Sequence, residues 1–538
     1  MSAPDPGAPP GDVRLSSLSP LRHRSFRILW LAWVAACLCM WMSDVAAAWL
    51  MTSLTASPVM IALVQTAATL PIFLAGLPSG ALADIVDRRR LLIFTQVWAI
   101  IVAIALFATA STATLNPVLL LLLVFANGLG LAARWPAFSA LIPELVPANE
   151  VALGSALSGV ANNGARIAGP LIAGAIITSA GSAYVFAFNA GLSVVSGALL
   201  LRWSYARKTS ALPRERIAGA IRVGIQHVRQ SPRLRYVMVR VVGFHFHSVA
   251  LIALLPLVAK NVGHGNARTF TLLMAAMGAG AVCAALSMAT VNRRFSPQQR
   301  LTGGSILFAS ATIAAALAPV LPVAMLALFA AGTAWMFGAN TLMVSGTMAL
   351  PDWVRARGLS MFQMAMMGSA AIGAALWGYV ASLTSVPASL ILSGVSALAV
   401  LYLARRARLD AGPPEDLAPA PGWTLPEVTE PVDHDRGPVL VMIEYQIDPA
   451  RTDEFLEVMR ESRRVWLGHG LQSWNLFSDI SRAGRHVEHM IDESWAAYLR
   501  RNERVAVSYL PLRERKLAMH TGPGAPVVTR YVASSVGR

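Results

Sequence analysis

The chain has 538 residues, of which 55% are apolar and 13% charged, about half the charged fraction of a soluble globular domain. Seven carboxylates fall between Ile28 and Arg405 (Asp44, Asp84, Asp87, Glu144, Glu150, Glu215 and Asp352), whereas the 133 residues after Arg405 hold nineteen. An apolar region is therefore followed by a water-soluble one. The formal charge of +16 does not describe a nucleic-acid surface, because its basic residues gather at the ends of apolar runs, where they signal membrane topology. Cys37, Cys39 and Cys283 all lie in apolar runs and are too few for a disulfide framework.

Residues 1–20 are rich in Pro and Ser and are expected to be disordered. Arg22, His23, Arg24 and Arg27 precede an apolar run, as in a signal peptide, and Val34-Ala35-Ala36-Cys37 resembles a lipoprotein cleavage box. The run continues to Leu50, longer than a signal core requires, so it is read as a retained helix. A bilayer crossing needs about 20 apolar residues at about 1.5 Å each. On that basis six spans are predicted at 28–50, 59–82, 91–111, 115–135, 153–180 and 182–203, within a first bundle of residues 21–203. Six more follow at 237–260, 267–291, 300–318, 321–348, 358–383 and 387–404, within a second bundle of residues 236–405.

Residues 204–235 join the halves. Within them Ile217, Ile221, Ile225 and Val228 recur at helical spacing among Arg214, Arg216, Arg222 and Arg229. Such a basic amphipathic helix either lies along anionic headgroups or packs on the bundle's end. Arg88, Arg89 and Arg90 after span 2, Arg293, Arg294 and Arg300 after span 8, Arg355 and Arg357 after span 10, and Arg405, Arg406 and Arg408 after span 12 all share one side. The opposite loops carry only Lys260 and Arg268, so both termini are expected in the cytoplasm. Leu141-Ile142-Pro143-Glu144-Leu145-Val146 is echoed by Ala349-Leu350-Pro351-Asp352-Trp353-Val354, and Gly169 and Gly174 by Gly373 and Gly378, as expected of two related halves.

A linker, residues 406–436, leads to a soluble domain at 437–538. Val439, Val441, Ile443, Tyr445 and Ile447 alternate as a strand, and Phe455, Met459 and Trp466 share a helix face. Strands near 471–478 and 485–491, a helix from Ser494 and a strand at 527–532 complete a β-α-β-β-α-β order. His486 and His489 point to opposite faces of their strand, so no metal pair is expected.

The loop Gly80-Ala81-Leu82-Ala83-Asp84-Ile85-Val86-Asp87-Arg88-Arg89-Arg90-Leu91-Leu92 resembles the signature of the major facilitator superfamily, with Ile85 in place of a basic residue and Asp87 in place of glycine. Gly80 permits close helix approach, Asp84 can cap a helix or pair with an arginine, and Arg88 and Arg89 anchor the loop. Gly169-Pro170-Leu171-Ile172-Ala173-Gly174 is similar to the glycine-proline motif of the superfamily's exporters, where a missing backbone bond and adjacent glycines permit bending. The superfamily's helix-4 arginine is absent, with Val124 in its place. Leu21-Arg22, Phe26-Arg27, Ala140-Leu141-Ile142-Pro143-Glu144 and Ala165-Arg166-Ile167-Ala168-Gly169-Pro170 resemble the bacterial subfamily of enterobactin exporters and transmembrane secretion effectors. The tail resembles antibiotic-biosynthesis monooxygenase domains, which pair into dimeric barrels. In that family Trp and Asn line a quinone or haem pocket, positions matched here by Trp474 and Asn475; by residue type alone these read as a core tryptophan and a strand-end amide.

Ionisable residues inside a span are costly and mark function. Asp44 lies sixteen residues into span 1, in its outer half, and Arg166 midway along span 5, so a contact depends on their depths; His245 and His247 lie near the cytoplasmic start of span 7. These four are the candidate coupling residues, with packing roles as the alternative for the histidines and carbonyl bridging for Arg166. The expected fold class is an all-α membrane protein of twelve helices in a 6+6 major facilitator arrangement, plus a small α+β ferredoxin-like domain. The resemblance implies an alternating-access exporter of a small organic molecule such as a siderophore, drug or secondary metabolite, in the bacterial inner membrane. Membrane lipid and protons are the other expected partners, with dimerisation through the tail. No catalytic residue, cofactor, metal or nucleic acid is expected. An importer, a membrane-tethered monooxygenase and a flux-free sensor are the alternatives. The chain contains no Gly-x-x-x-x-Gly-Lys-Ser/Thr loop, which disfavours ATP drive.

Overall fold

A computed structural model describes Ser16 and residues 18–203, 217–262, 265–351, 353–406, 420 and 431–534, without the side chains at 77, 80–85, 140, 148, 152, 217, 218, 220, 221 and 356. Most of the expected disordered N-terminus, residues 204–216, Asp352 and most of the linker therefore lie outside the described residues. The described chain opens with a buried turn, Ser19–Arg22, earlier than the sequence suggests. The helices that follow are α1 (Arg24–Leu54), α2 (Pro58–Ile85), α3 (Arg88–Ser111), α4 (Pro117–Leu145), α5 (Val151–Ser179) and α6 (Ser182–Arg202). Then come α7 (Ile217–Gln230), α8 (Pro232–Asn261), α9 (Ala267–Arg294), α10 (Pro297–Ala316), α11 (Leu321–Met348), α12 (Arg355–Leu383) and α13 (Val386–Leu403). Asn or Ser side chains cap α4, α8, α9, α10 and α13, most with Pro in the first turn, and these residues define where each helix starts. Among the described residues, ten helices are long and apolar enough to cross a membrane. The two long helices outside that set are α5, which carries Asn162, Asn163 and Arg166, and α10, which opens on Gln298, Gln299 and Arg300.

Helices α1–α6 form one half and α8–α13 the other, and their apolar cores are arranged unequally along the bundle. At the end away from the termini one core runs through both halves. It takes Met42, Val45 and Met51 from α1, Ile61 from α2, Ala173 and Ile177 from α5, Leu251 and Leu255 from α8, Phe270 from α9 and Trp377 from α12. At the terminal end the cores are separate. Phe26, Leu29, Phe138, Leu141, Leu157 and Ala161 pack in the first half, and Val237, Val241, Phe244, Leu342 and Phe362 in the second.

Contacts across the joined end are close. Trp49 stacks on Phe270 at 5.3 Å, Lys260 Nζ donates to the Thr52 carbonyl, and Thr66 Oγ1 donates to the Ala371 carbonyl at 2.9 Å. A Cβ on Gly174 would lie 2.3 Å from Thr271 Cγ2, and one on Gly378 2.4 Å from Ala62 Cβ. Inside the second half, a Cβ on Gly280 or Gly332 would lie 1.9 Å from the carbonyl oxygen of Phe329 or Met277, so α9 and α11 pack backbone to backbone.

Helix α7 packs on the terminal end of the second half. Its Val228 joins Leu234, Leu350 and Val354, and Gly224 faces Arg357 and Met361. Of the two expectations for this basic helix, bundle packing is the arrangement adopted; Ile217 and Ile221 lie outside the described side chains.

The tail holds β1 (Val439–Gln446), α14 (Thr452–Gly468), β2 (Ser473–Ser478), β3 (Arg485–Asp492), α15 (Trp495–Glu503), α16 (Leu510–Ala518) and β4 (Val527–Val532). Its sheet is antiparallel in the order β2-β3-β1-β4. Helix α16, started by Pro511, is additional to the single helix expected there. The sheet's inner face packs Val439, Val441, Tyr445 and Met490 against Phe455, Met459 and Trp466 of α14.

The joined end depends on small residues where the halves meet. Replacing Gly378 by Val is expected to force α12 from α2 and open that end. In a background without the three native cysteines, a cysteine at Phe270 should then react several-fold faster with a membrane-impermeant maleimide; unchanged labelling would contradict this packing argument.

Candidate functional site

The change from joined to separate cores occurs at one level of the bundle, and several of the sequence-selected residues stand there. Along α5, Ala161 and Ala165 belong to the first half's own core, whereas Ala173 and Ile177 belong to the joined core. Arg166, Gly169 and Pro170 lie between them. A Cβ on Gly169 would lie 2.7 Å from Trp41 Cβ, so α1 and α5 touch at backbone distance. Pro170 has no N–H to give the Arg166 carbonyl, which loosens the helix beside the charge. Gly174, one turn on, meets Thr271 of the other half.

The Arg166 guanidinium reaches across to α11, 4.0 Å over the Trp335 ring, and its Nη2 lies 3.3 Å from Met336 Sδ. It makes no ion pair with a described residue. Asp44 likewise has no hydrogen bond or ion pair among the described residues, so the two candidate charges are not joined. Gly169 marks the level of Trp41 and Met42. Arg166 lies three residues before that level and Asp44 two to three after it, an offset of about 8 Å along parallel helices at about 1.5 Å per residue.

His245 and His247, on α8, are both buried. Each turns Nδ1 to the carbonyl one turn back, 3.0 Å to Val241 and 2.7 Å to Gly243, which satisfies the packing role. They diverge. His245 faces Trp335 at 6.5 Å, with its Nε2 buried and unpartnered among the described residues, while His247 lies 5.9 Å from Trp377.

The signature loop is a clip within the first half. Asp87 caps α3 by accepting from Arg90 N at 2.9 Å, which gives the departure from glycine a physical reason. Arg88 pairs with Glu144 of α4, and Arg89 donates to the Leu201 carbonyl at the end of α6. Gly80 and the Asp84 carboxylate lie outside the described side chains.

Two buried arginines within the predicted spans escaped sequence reasoning, Arg134 and Arg240. Arg134 of α4 is 6% exposed and donates through Nη2 to the Thr95 carbonyl at 2.8 Å. Its position near the end of the predicted span hid it; α4 continues ten residues further. The length of the apolar pattern beyond Arg134 was the available signal.

In the tail, Trp474 Nε1 donates to Glu488 Oε1 at 2.7 Å, and Asn475 is exposed, bonded to Ser473. Glu488, fully buried, also accepts from Tyr445 at 3.0 Å and Lys516 at 2.8 Å. Burial alone would depress the Lys516 pKa, but Glu488 beside it holds the ammonium above its ordinary range. Trp474 is thus committed to a saturated buried network. His486 and His489 do face opposite sides, bonded to Ser478 and edge-on to Phe477 respectively.

The tail is seated on α7 and on the loop before α12. Arg222 pairs with Glu493 at 2.6 Å, His227 Nδ1 lies 3.0 Å from the Gly468 carbonyl, and Arg504 covers Trp353 at 4.5 Å. Trp353 is edge-on to both His227 and His469. Burial, with His227, Arg501 and Arg504 adding to it, pushes His469 down to about 3. Folded and docked, it stays neutral; release from α7 and Trp353 removes His227 and part of the burial, which moves its pKa back toward the ordinary range. Release therefore takes up a proton at low pH, and docking weakens as pH falls. Hydrogen exchange in α7, corrected for intrinsic rates, is expected to rise between about pH 7.5 and about pH 5.5, less so in His469→Gln. A pH-independent rate would refute the linkage.

Comparison with known proteins places most of the chain in one family. The family described as Transmembrane secretion effector matches residues 15–536. An uncharacterized MFS-type transporter of Bacillus subtilis (strain 168), YfiS, is 26% identical over 186 residues, 34% of this chain. The chain spans 43% of the length of that relative. Among solved structures, a bacterial homologue of the human lysosomal transporter Spinster, inward-facing and unoccupied, has a TM-score of 0.59 at 16% identity, covering 72% of this chain and 98% of its own. The fucose transporter FucP, in the outward conformation, has a TM-score of 0.52 at 15% identity, over 71% and 98%. Both likenesses concern the fold.

Proposed function

Because the chain belongs to the transmembrane secretion effector family of the major facilitator superfamily, and is a membrane transporter of that fold, we propose that it exports a small organic molecule by proton-coupled alternating access. The observation that carries the reading is the division of the core, joined at one end and separate at the other. Two bodies hinged on one shared end can exchange which end is closed. The family's description favours export, as does Gly169-Pro170 on α5, where the helix can bend at the level at which the cores part.

On this reading there are twelve spans in a 6+6 arrangement, α5 and α10 included: Asn162, Asn163 and Arg166 lower the hydropathy of α5, and the opening Gln298, Gln299 and Arg300 lower that of the short α10. The arginine clusters at the terminal end support cytoplasmic termini in a bacterial inner membrane, which would turn the separate cores toward the cytoplasm. Asp44 is the leading proton carrier, with Arg166 as the cation that modulates coupling, His245 and His247 as the further carrier candidates, and Asp84 as a state-dependent contact of the signature loop. Efflux into inverted vesicles, with and without an imposed pH gradient, tests the reading. Asp44→Asn is expected to abolish gradient-driven transport by at least about tenfold while sparing passive exchange. Full gradient-driven transport in that variant would remove Asp44 from coupling.

The tail is proposed as a ferredoxin-like domain without enzymatic activity, dimerising through its outer sheet face. The strand order β2-β3-β1-β4 supports the fold, and the commitment of Trp474 to Glu488 supports the lack of activity. Phe477 and Tyr531 are more than half exposed on the outer face of the sheet, at its two edge strands. A second copy of the same face would cover them. Residues 437–538 expressed alone are expected to be soluble, folded and dimeric in sedimentation, without turnover of a quinol. A monomer, or quinol oxidation, would contradict these assignments.

A further inference from the structure

On the reading that the chain carries an organic solute, we propose that Arg166 is the anion-recognition residue of the cavity between the halves, and that the solute is an organic anion with an apolar body. Arg166 is held mid-helix at the level where the cores part, pointing from α5 to α11 of the opposite half. A cation at that depth is expected to have a carboxylate or a carbonyl. Arg134 and Lys260 obey this rule, each donating to a backbone carbonyl. Arg166 has only a tryptophan face and a thioether sulfur among the described residues. Both are neutral, soft and weak partners, which an incoming anion can displace or share.

The surroundings fit a ligand. Ser155, Gly159, Asn162 and Arg166 recur at helical spacing on the α5 face turned to the other half. A Cβ on Gly159 would meet nothing within 4 Å, so this face borders open space toward the terminal end. Asn162 Oδ1, one turn from Arg166, is buried and without a partner among the described residues. A hydroxyl or N–H beside the solute's anionic group would satisfy it. Trp335 belongs at once to the edge of the joined core and of the second half's own core, and it offers its ring to an apolar body. Asp44 does not serve as the counter-charge, because it stands about 8 Å further along and makes no ion pair with Arg166. A charge-assisted bond from Arg166 to a carboxylate would be about twice as strong as a neutral one, and the low dielectric between the halves strengthens it further.

The test uses three probes of one shape and different charge: naphthaleneacetate, naphthaleneacetamide and naphthylmethylamine. Their binding to the purified full-length protein in nanodiscs is measured by equilibrium dialysis. The carboxylate is expected to bind at least about tenfold more tightly than the amide, and the amine most weakly. Arg166→Gln should erase that order and Arg166→Lys should keep part of it, with thermal unfolding of both variants compared to the parent. No anion preference in the parent, including no binding at all, or a preference that survives in Arg166→Gln, overturns the assignment. Counterflow of the same probes in proteoliposomes separates the two readings. Arg166-dependent anion binding without flux of any probe would sink transport and leave the anion site, whereas flux indifferent to charge would do the reverse.

Discussion

The structure depends on one apolar core being shared by both halves at one end only. Met42, Met51, Leu251, Leu255 and Phe270 come from different halves and bury each other. In a bilayer, lipid tails are as apolar as these side chains, so burial alone does not hold the halves together; close packing through Gly174 and Gly378 and the Lys260 bond to the Thr52 carbonyl do. Each of those contacts is small. A junction of many small contacts can be remade at the other end, whereas a large interlocked one could not.

The charges inside the bundle sort by the same constraint. Arg134 is locked to Thr95 within the first half and Arg88 to Glu144, so these cations hold a half rigid. Lys260 bridges the halves at the joined end and must let go if that end opens. Arg166 also bridges them, but through a ring face and a sulfur, contacts that tolerate displacement. Rigid halves with a soft seam are what a rocking motion requires.

The parts of this architecture legible in the sequence are those fixed by solvent. Apolar runs locate the long helices because every backbone group in hydrocarbon must be satisfied within its own helix. The alternation Val439, Val441, Tyr445 located β1 for the opposite reason, one face wet and one dry. What could not be read was partnership. Asp87 looked like a departure from a glycine motif until its bond to Arg90 N made it a helix cap. Arg134 disappeared into the end of an underestimated span. Asp44 and Arg166 are attractive partners by charge, but the contact of Gly169 with Trp41 sets them at different depths. Helix α7 could be recognised as amphipathic, yet which surface received its apolar side depended on Leu234 and Val354, the latter more than a hundred residues away.

The seat of the tail follows from where these rigid units lie. Its contacts, Arg222 to Glu493, His227 to Gly468 and Arg504 over Trp353, all fall on α7 and the loop before α12. Helix α7 in turn packs on Leu234, Leu350 and Val354 of the second half. Tail, α7 and second half are therefore linked by contacts that need not break when the halves move relative to one another. Within the tail, Arg501 is bidentate to Asp492, both almost fully buried, and Lys516 is paired with Glu488 in the same interior. Removing one partner of such a pair strands a charge, at a cost of about 3–5 kcal/mol, so the tail's interior resists local loosening. A stiff body fixed to one half moves with that half. If two such bodies were joined through their outer sheet faces, the motion of one transporter's second half would be felt by the other's, by steric linkage alone.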